Sequence, residues 1–192
     1  PFAAINQALV DWVSMMSNGG NALILAIVIG AMVGCDLGGP VNKAAVTTAM
    51  ALLTEGLFLS NTAAQVAIII PTLGYGVATF IAKKKFSNEL KEAGKASFIM
   101  GLVGISEGAI PFTLVNPTRL MIVNMVGCAV GSAIAVMGGA VNEIPISGCY
   151  GWLLVSNWPI YILGIIAGTA IIAAGAIFLG KGFDEEDIDG VM

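Results

Sequence analysis

Hydrophobic positions in this chain run in long blocks, and short polar breaks between them mark out the elements. Gly56 to Ala82 holds 27 residues without a charge, Leu120 to Asn142 holds 23, and Trp158 to Gly180 holds 23. A helix needs about 20 apolar residues to cross a bilayer, so each block predicts one transmembrane helix. Asn21 to Cys35 offers 15 uncharged residues, enough for a short or tilted span only. Ahead of it, Phe2, Ile5, Leu9, Trp12, Val13 and Met16 recur at about helical spacing. That pattern predicts an amphipathic segment lying along the interface, with Trp12 at headgroup level.

Two stretches do not read as simple crossings. Asp36 to Glu55 breaks at Asp36-Leu37-Gly38-Gly39-Pro40-Val41-Asn42-Lys43 before turning apolar again. It is either a re-entrant hairpin or a tight cytoplasmic turn between two spans. Phe98 to Arg119 sets Glu107 among apolar residues, with Gly101, Gly104, Gly108, Pro111 and Pro117 around it. Proline removes a backbone donor and bends a helix. A charge near mid-membrane costs at least about 2.5 kcal/mol on insertion scales and usually faces a cavity. Phe98 to Arg119 therefore reads as a re-entrant hairpin with both ends cytoplasmic. Irregular backbone at membrane depth is tolerated where it lines a cavity, and interrupted hydrophobic segments mark binding sites in transporters.

Composition strengthens the membrane reading. Of 192 residues, 57% are hydrophobic and 10% charged, against about 25% charged in a typical soluble domain. The fold class expected is all-α and integral to the membrane: a multi-span helical transporter domain with one or two re-entrant hairpins. Residues 1–182 form the membrane domain and 183–192 an acidic cytoplasmic tail. The 25 glycines suit closely packed or broken membrane helices.

Charge sets the topology. Lys83 to Lys95 carries five of the eight basic residues and reads as a cytoplasmic loop. Glu143 to Asn157 then reads as a loop on the far side, and Lys181 with the acidic tail returns the C-terminus to the cytoplasm. Chemistry is narrowed mainly by what is missing. There is no histidine, which excludes Ser-His-Asp and Cys-His mechanisms within this chain. Cys35, Cys128 and Cys149 form no CxxC pair, so neither a zinc nor a redox site is indicated. No basic patch supports nucleic-acid binding, and no metal or other cofactor is expected.

The motifs carry a resemblance. Asp36-Leu37-Gly38-Gly39-Pro40-Val41-Asn42-Lys43-Ala44-Ala45 and Gly104-Ile105-Ser106-Glu107-Gly108-Ala109-Ile110-Pro111-Phe112, continued by Asn116-Pro117-Thr118-Arg119, resemble two motifs of one family. It is the fructose-type membrane permease component, enzyme IIC, of the bacterial phosphoenolpyruvate-dependent sugar phosphotransferase system. The similarity covers nearly the whole chain and about the second half of the usual membrane domain, so a longer protein is expected. The resemblance implies a bacterial inner-membrane subunit that binds fructose or a fructose-like hexose and carries it inward. Enzyme IIB would phosphorylate the sugar, supplied through enzyme IIA, and the subunit would work among membrane lipids as a homodimer.

By motif position, Glu107 would contact sugar hydroxyls, and the loop bearing Gly39, Pro40, Asn42 and Lys43 would line the same site beside Ser106. Asp36, Asn116 and Arg119 are further candidates. Each residue also has a plainer reading. Glu107 is alternatively a buried carboxylate paired with Lys43 or Arg119, Lys43 a positive-inside anchor, Asp36 a turn cap, and Arg119 an interfacial anchor. The loop after Val141, often Pro-His-Gly-Gly in the family, here reads Glu143-Ile144-Pro145-Ile146-Ser147-Gly148 without histidine. That leaves a fructose-like sugar or a mannosylated compound open. No residue in the chain is placed to accept a phosphoryl group. A different class also fits the residues alone: an ion-coupled transporter or channel with Glu107 as its proton or cation site.

Overall fold

A computed structural model describes residues 21–179, together with Asp11 and Met15. The expected interfacial segment and the acidic tail lie outside the described residues. Seven helices follow: α1 (Ala22–Asp36), α2 (Pro40–Thr54), α3 (Leu59–Ile81), α4 (Asn88–Val103), α5 (Ile110–Val115), α6 (Pro117–Met137) and α7 (Trp158–Leu179). Short 3-10 turns cover Lys83–Lys85, Glu107–Ala109 and Cys149–Leu154. The described residues contain no named strand, only an isolated bridge between Val141 and Ser156.

The helices α3, α6 and α7 are long and apolar enough to cross a membrane, and they fall on the three predicted spans. The fold is thus the expected all-α membrane architecture. At its centre stands α3, which packs against α1, α2, α4, α6 and α7. Pro71 lies inside α3. It has no N–H for the carbonyl of Ala67, one turn earlier. The Cys128 thiol of α6 donates to that carbonyl at 3.4 Å. Cys128 therefore serves as both packing and hydrogen-bonding residue.

Glycine sets how closely the helices approach. Gly127 and Gly131 on α6 face Gly164 and Gly168 on α7, four residues apart on each. A Cβ at Gly131 would stand 2.8 Å from the Gly164 carbonyl oxygen, and one at Gly168 would stand 2.6 Å from that of Gly127. The other side of α6 receives α1 in the same way. Cβ atoms at Gly30 and Gly34 would each lie 2.7 Å from the carbonyl oxygens of Cys128 and Asn124. In lipid, helices associate through such small-residue contacts rather than through a hydrophobic driving force.

The remaining helices form two hairpins. The first is α1 and α2, 15 residues each, about 22 Å against a hydrocarbon core of ~30 Å. Asp36 to Glu55 is thus not a turn between two full spans. Its turn at Leu37 and Gly38 uses left-handed backbone, with φ of 48° and 108°. The second hairpin is α4, a turn over residues 104–109, and α5. Its base closes where the Phe86 and Phe112 rings meet edge to face, with centroids 6.3 Å apart. The first hairpin leads into the start of α3, and the second emerges from its end. They therefore open toward opposite ends of the bundle.

Several boundaries differ from expectation. Lys83 to Lys95 is not a loop: Ser87 accepts the Leu90 N–H at 3.3 Å, and α4 starts at Asn88. Lysine stems lie along a helix as readily as in a loop, so basic residues did not mark its absence. The hairpin accordingly begins before Phe98 and its return arm ends at Val115, while Arg119 belongs to α6. Glu143 to Asn157 includes a 3-10 turn rather than loop throughout.

Replacing Gly131 by Val inserts a branched side chain where two backbones touch. The expected loss is about 1–3 kcal/mol of stability, read as a lowered thermal midpoint of the detergent-purified protein.

Candidate substrate pocket

Asp36 organises the first hairpin tip. Its Oδ2 accepts the Val41 N–H at 2.7 Å and its Oδ1 the Asn42 N–H at 2.9 Å. These are two of the donors left free at the start of α2, where Pro40 occupies the first turn and needs none. Asp36 is therefore the cap, and its carboxylate is engaged. The cap fixes the first turn of α2, which carries Asn42, buried at 4% exposure, and Lys43, which is exposed.

Gly104 organises the second tip. It adopts φ 103° and ends α4, donating to the Met100 carbonyl at 2.9 Å. The chain then turns through Ile105 and the buried Ser106 to Glu107, whose side chain is exposed. The Ser106 hydroxyl lies 3.4 Å from Glu107 Oε2.

The two tips meet. A Cβ on Gly38 would stand 2.7 Å from Glu107 Oε1, so only glycine lets the carboxylate lie against the first turn. Between the tips is a cavity of about 260 Å³, lined by Asn42, Lys43, Ser106 and Glu107 together with Val46, Thr47, Ile68 and the turn residues Gly38, Gly104 and Ile105. The lining places an amide, an ammonium, a hydroxyl and a carboxylate around one mainly apolar hollow. Such a set supplies both donors and acceptors to a polyhydroxylated ligand.

Glu107 forms no ion pair with Lys43 or Arg119; the ion pair among the described residues is Lys95–Glu92, at 2.6 Å. Gly39 and Pro40 stand beside the pocket rather than in its lining. Asn116 and Arg119 lie outside the lining as well, at the start of α6, where Arg119 is exposed. Among the described residues no three His, Cys, Asp or Glu side chains gather as a metal site.

Two supporting networks were not anticipated. Tyr75 of α3 donates to Asn124 Oδ1 of α6 at 3.0 Å, and Asn124 Nδ2 donates to Thr113 Oγ1 of α5 at 3.0 Å. Tyr75 also stacks on Phe112, at 4.9 Å. Together they fasten the return arm of the second hairpin to the bundle. At the start of α3, Asn61 Nδ2 donates to the carbonyls of Asn142 and Ile144, at 2.8 and 3.0 Å. The Ser147 hydroxyl donates to Gln65 Oε1. This brings the 142–157 segment to the second tip, where a Cβ on Gly104 would lie 2.8 Å from the Gly148 nitrogen. The signal was present in the sequence: Asn61, Thr62 and Gln65 are polar residues inside a span, and such residues are costly unless partnered.

The class of molecule is a helical membrane domain with a pocket, mainly apolar but bearing polar side chains, between two opposed hairpins. No family model and no solved structure matches the chain. Curated relatives do. The chain is 42% identical over 184 residues to a fructose-specific EIIB'BC component of the PTS system from Vibrio cholerae, covering 94% of this chain and 32% of that protein. It is 38% identical over 178 residues to the fructose-like permease IIC component 2 of Escherichia coli K12, covering 92% and 47%. A fructose-specific EIIB'BC component of Rhodobacter capsulatus is 35% identical over 190 residues, covering 97% and 33%. The chain thus spans about a third to a half of the length of these relatives. It belongs with them to one family, the fructose-type permease IIC components. Bacterial relatives and three apolar helices together indicate an inner-membrane protein.

Gly38→Ala combines strain at φ 108° with a collision against Glu107, whereas Gly56, at φ 80°, has nothing within 4 Å of its added Cβ. Gly56→Ala is expected to cost about 1–2 kcal/mol from backbone strain alone. Gly38→Ala is expected to cost more than that, by paired thermal melts in the same detergent.

Proposed function

We propose that this chain is the sugar-binding part of a phosphotransferase permease and that its substrate, fructose or a fructose-like sugar, binds in the pocket between the two hairpin tips. The observation that carries the reading is the meeting of the two motif turns, Gly38 against Glu107, around a hollow with Asn42, Lys43 and Ser106 in its wall. A cavity of about 260 Å³ is smaller than the roughly 300–1,000 Å³ typical for drug-sized ligands. It suits a small polar solute.

In this reading Glu107 accepts hydrogen bonds from two sugar hydroxyls, and the Asn42 amide both donates and accepts. Lys43 donates and balances the carboxylate, and it is placed to offset negative charge as a phosphoryl group approaches. Gly39 and Pro40 shape the turn, and Asn116 and Arg119 act outside the pocket, at the start of α6. Because the hairpins open toward opposite ends of the bundle, movement of one tip at a time exposes the pocket to one side at a time. The sugar is phosphorylated by a IIB domain fed through a IIA domain, with the permease a homodimer and its C-terminus cytoplasmic. The relatives named as EIIB'BC components support the IIB partner. The ion-coupled alternative draws no support from them.

The test is uptake of labelled fructose by cells making the full-length protein, with the soluble phosphocarriers present. Losing hydrogen bonds to a charged partner costs about 1.5–3 kcal/mol, so Glu107→Gln is expected to reduce uptake by roughly 10–150-fold. Asn42→Ala should raise KM with a smaller effect on maximal rate. Wild-type uptake by Glu107→Gln sinks the role assigned to that residue. Uptake that persists in vesicles without phosphoenolpyruvate sinks the phosphotransferase reading.

A further inference from the structure

The lysines after α3 do more than mark a side of the membrane. Lys83, Lys91 and Lys95 converge on a cleft of about 210 Å³ between the end of α3 and the first turns of α4, with Thr79, Phe80 and Glu92 completing it. Three ammonium groups face one carboxylate, Glu92, which is already paired with Lys95 at 2.6 Å. Lys91 Nζ donates to Asn88 Oδ1 at 3.2 Å. Lys83 has no ion-pair partner among the described residues. The cleft therefore keeps a positive surplus with room for an anion.

A second hollow lies further along the same helices. It measures about 430 Å³ and is walled almost wholly by carbon, with Leu73 and Val77 from α3, Phe98 and Leu102 from α4, and Ile165 and Ile166 from α7. Lys91, Lys95, Phe98 and Leu102 fall at i, i+4, i+7 and i+11, so they form one stripe down α4. Leu73, Val77 and Phe80 form the matching stripe on α3. The Phe80 and Phe98 rings touch edge to face at 5.4 Å, where the cationic and apolar hollows adjoin. From Lys91 to Leu102 the stripe rises about 16 Å, which is about half of a ~30 Å hydrocarbon core. Near the lysines, Ile81 and Ile99 are 71% and 62% exposed, as residues at a lipid boundary are.

We propose that the α3–α4 groove is a binding site for one anionic phospholipid, its headgroup phosphate held by Lys83, Lys91 and Lys95 and an acyl chain laid along Leu73, Val77, Phe98 and Leu102. A phosphate and a hydrocarbon chain in one molecule match both hollows, which a free phosphate or an acidic soluble partner does not. The site is separate from the sugar pocket.

The experiment is native mass spectrometry of the detergent-purified protein titrated with dioleoyl phosphatidylglycerol or dioleoyl phosphatidylcholine. The expected result is one phosphatidylglycerol retained with roughly tenfold or greater preference. The variant Lys83→Gln/Lys91→Gln/Lys95→Gln, which changes two exposed lysines and the half-buried Lys91, should lose that preference while keeping its melting temperature. Leu102→Trp, which fills the groove, should lower retention of both lipids. Equal retention of the two lipids by the wild type overturns the proposal, as does an unchanged preference in the triple variant. Displacement of the lipid by an equal concentration of inorganic phosphate assigns the cleft to a soluble anion and also overturns it. So does a Leu102→Trp variant that dissociates a dimer without changing lipid retention, since the groove would then hold a second copy.

Discussion

The contact on which everything else rests is backbone against backbone along α6. With Gly30 and Gly34 of α1 on one side and Gly164 and Gly168 of α7 on the other, α6 is clasped at distances no side chain permits. In a bilayer there is little hydrophobic gain from bringing apolar helices together, so close packing and carbonyl contacts carry the association. That clasp fixes α1, and α1 fixes the tip at Gly38. Beside the glycines, hydroxyl and thiol side chains of α6 reach backbone carbonyls of α3. Ser132 donates to the Ala63 carbonyl at 2.8 Å, as Cys128 does to that of Ala67.

A second constraint is polar. Two hairpins that stop inside the bundle leave helix ends where water is scarce, and each end must find partners for its backbone groups. The chain meets this with local devices: Asp36 for the start of α2, and Gly104 for the end of α4. Between them, Tyr75, Asn124 and Thr113 hold the short return arm, which at six residues is too short to be held by its own helical bonds. The pocket is therefore bounded by elements whose polar groups are largely committed to structure. Glu107 is the exception: among the described residues its carboxylate lines the hollow with no ion pair and with only the Ser106 hydroxyl, at 3.4 Å, as a side-chain donor, which leaves acceptor capacity for a ligand.

The three spans were legible because an uncharged run of more than 20 residues has few other fates. The hairpin at Phe98 to Arg119 was legible in kind, from Glu107 among glycines and prolines, but not in extent. Lysines in the first turns of α4 look the same in sequence whether they sit on a helix or a loop. The Asp36 cap was one of two readings and is the one the hydrogen bonds select. Glu107, Asn42, Lys43 and Ser106 came from motif resemblance, and the structure brings all four to one cavity. Spacing could not have paired Gly38 with Glu107, nor found Ile68 as part of the wall, because those contacts depend on how α3 stands between the hairpins. Tyr75, Thr113 and Asn124 read individually as residues of apolar helices. Only their geometry makes them a network.

The pairing of Gly38 with Glu107 joins positions 69 residues apart, on either side of the whole of α3. A contact of that separation cannot form while the first hairpin alone has been made. During synthesis the first tip stays open until α3 and the second hairpin, through Glu107, have been made. The pocket is thus closed by the second hairpin and is not a hollow that the first hairpin holds alone.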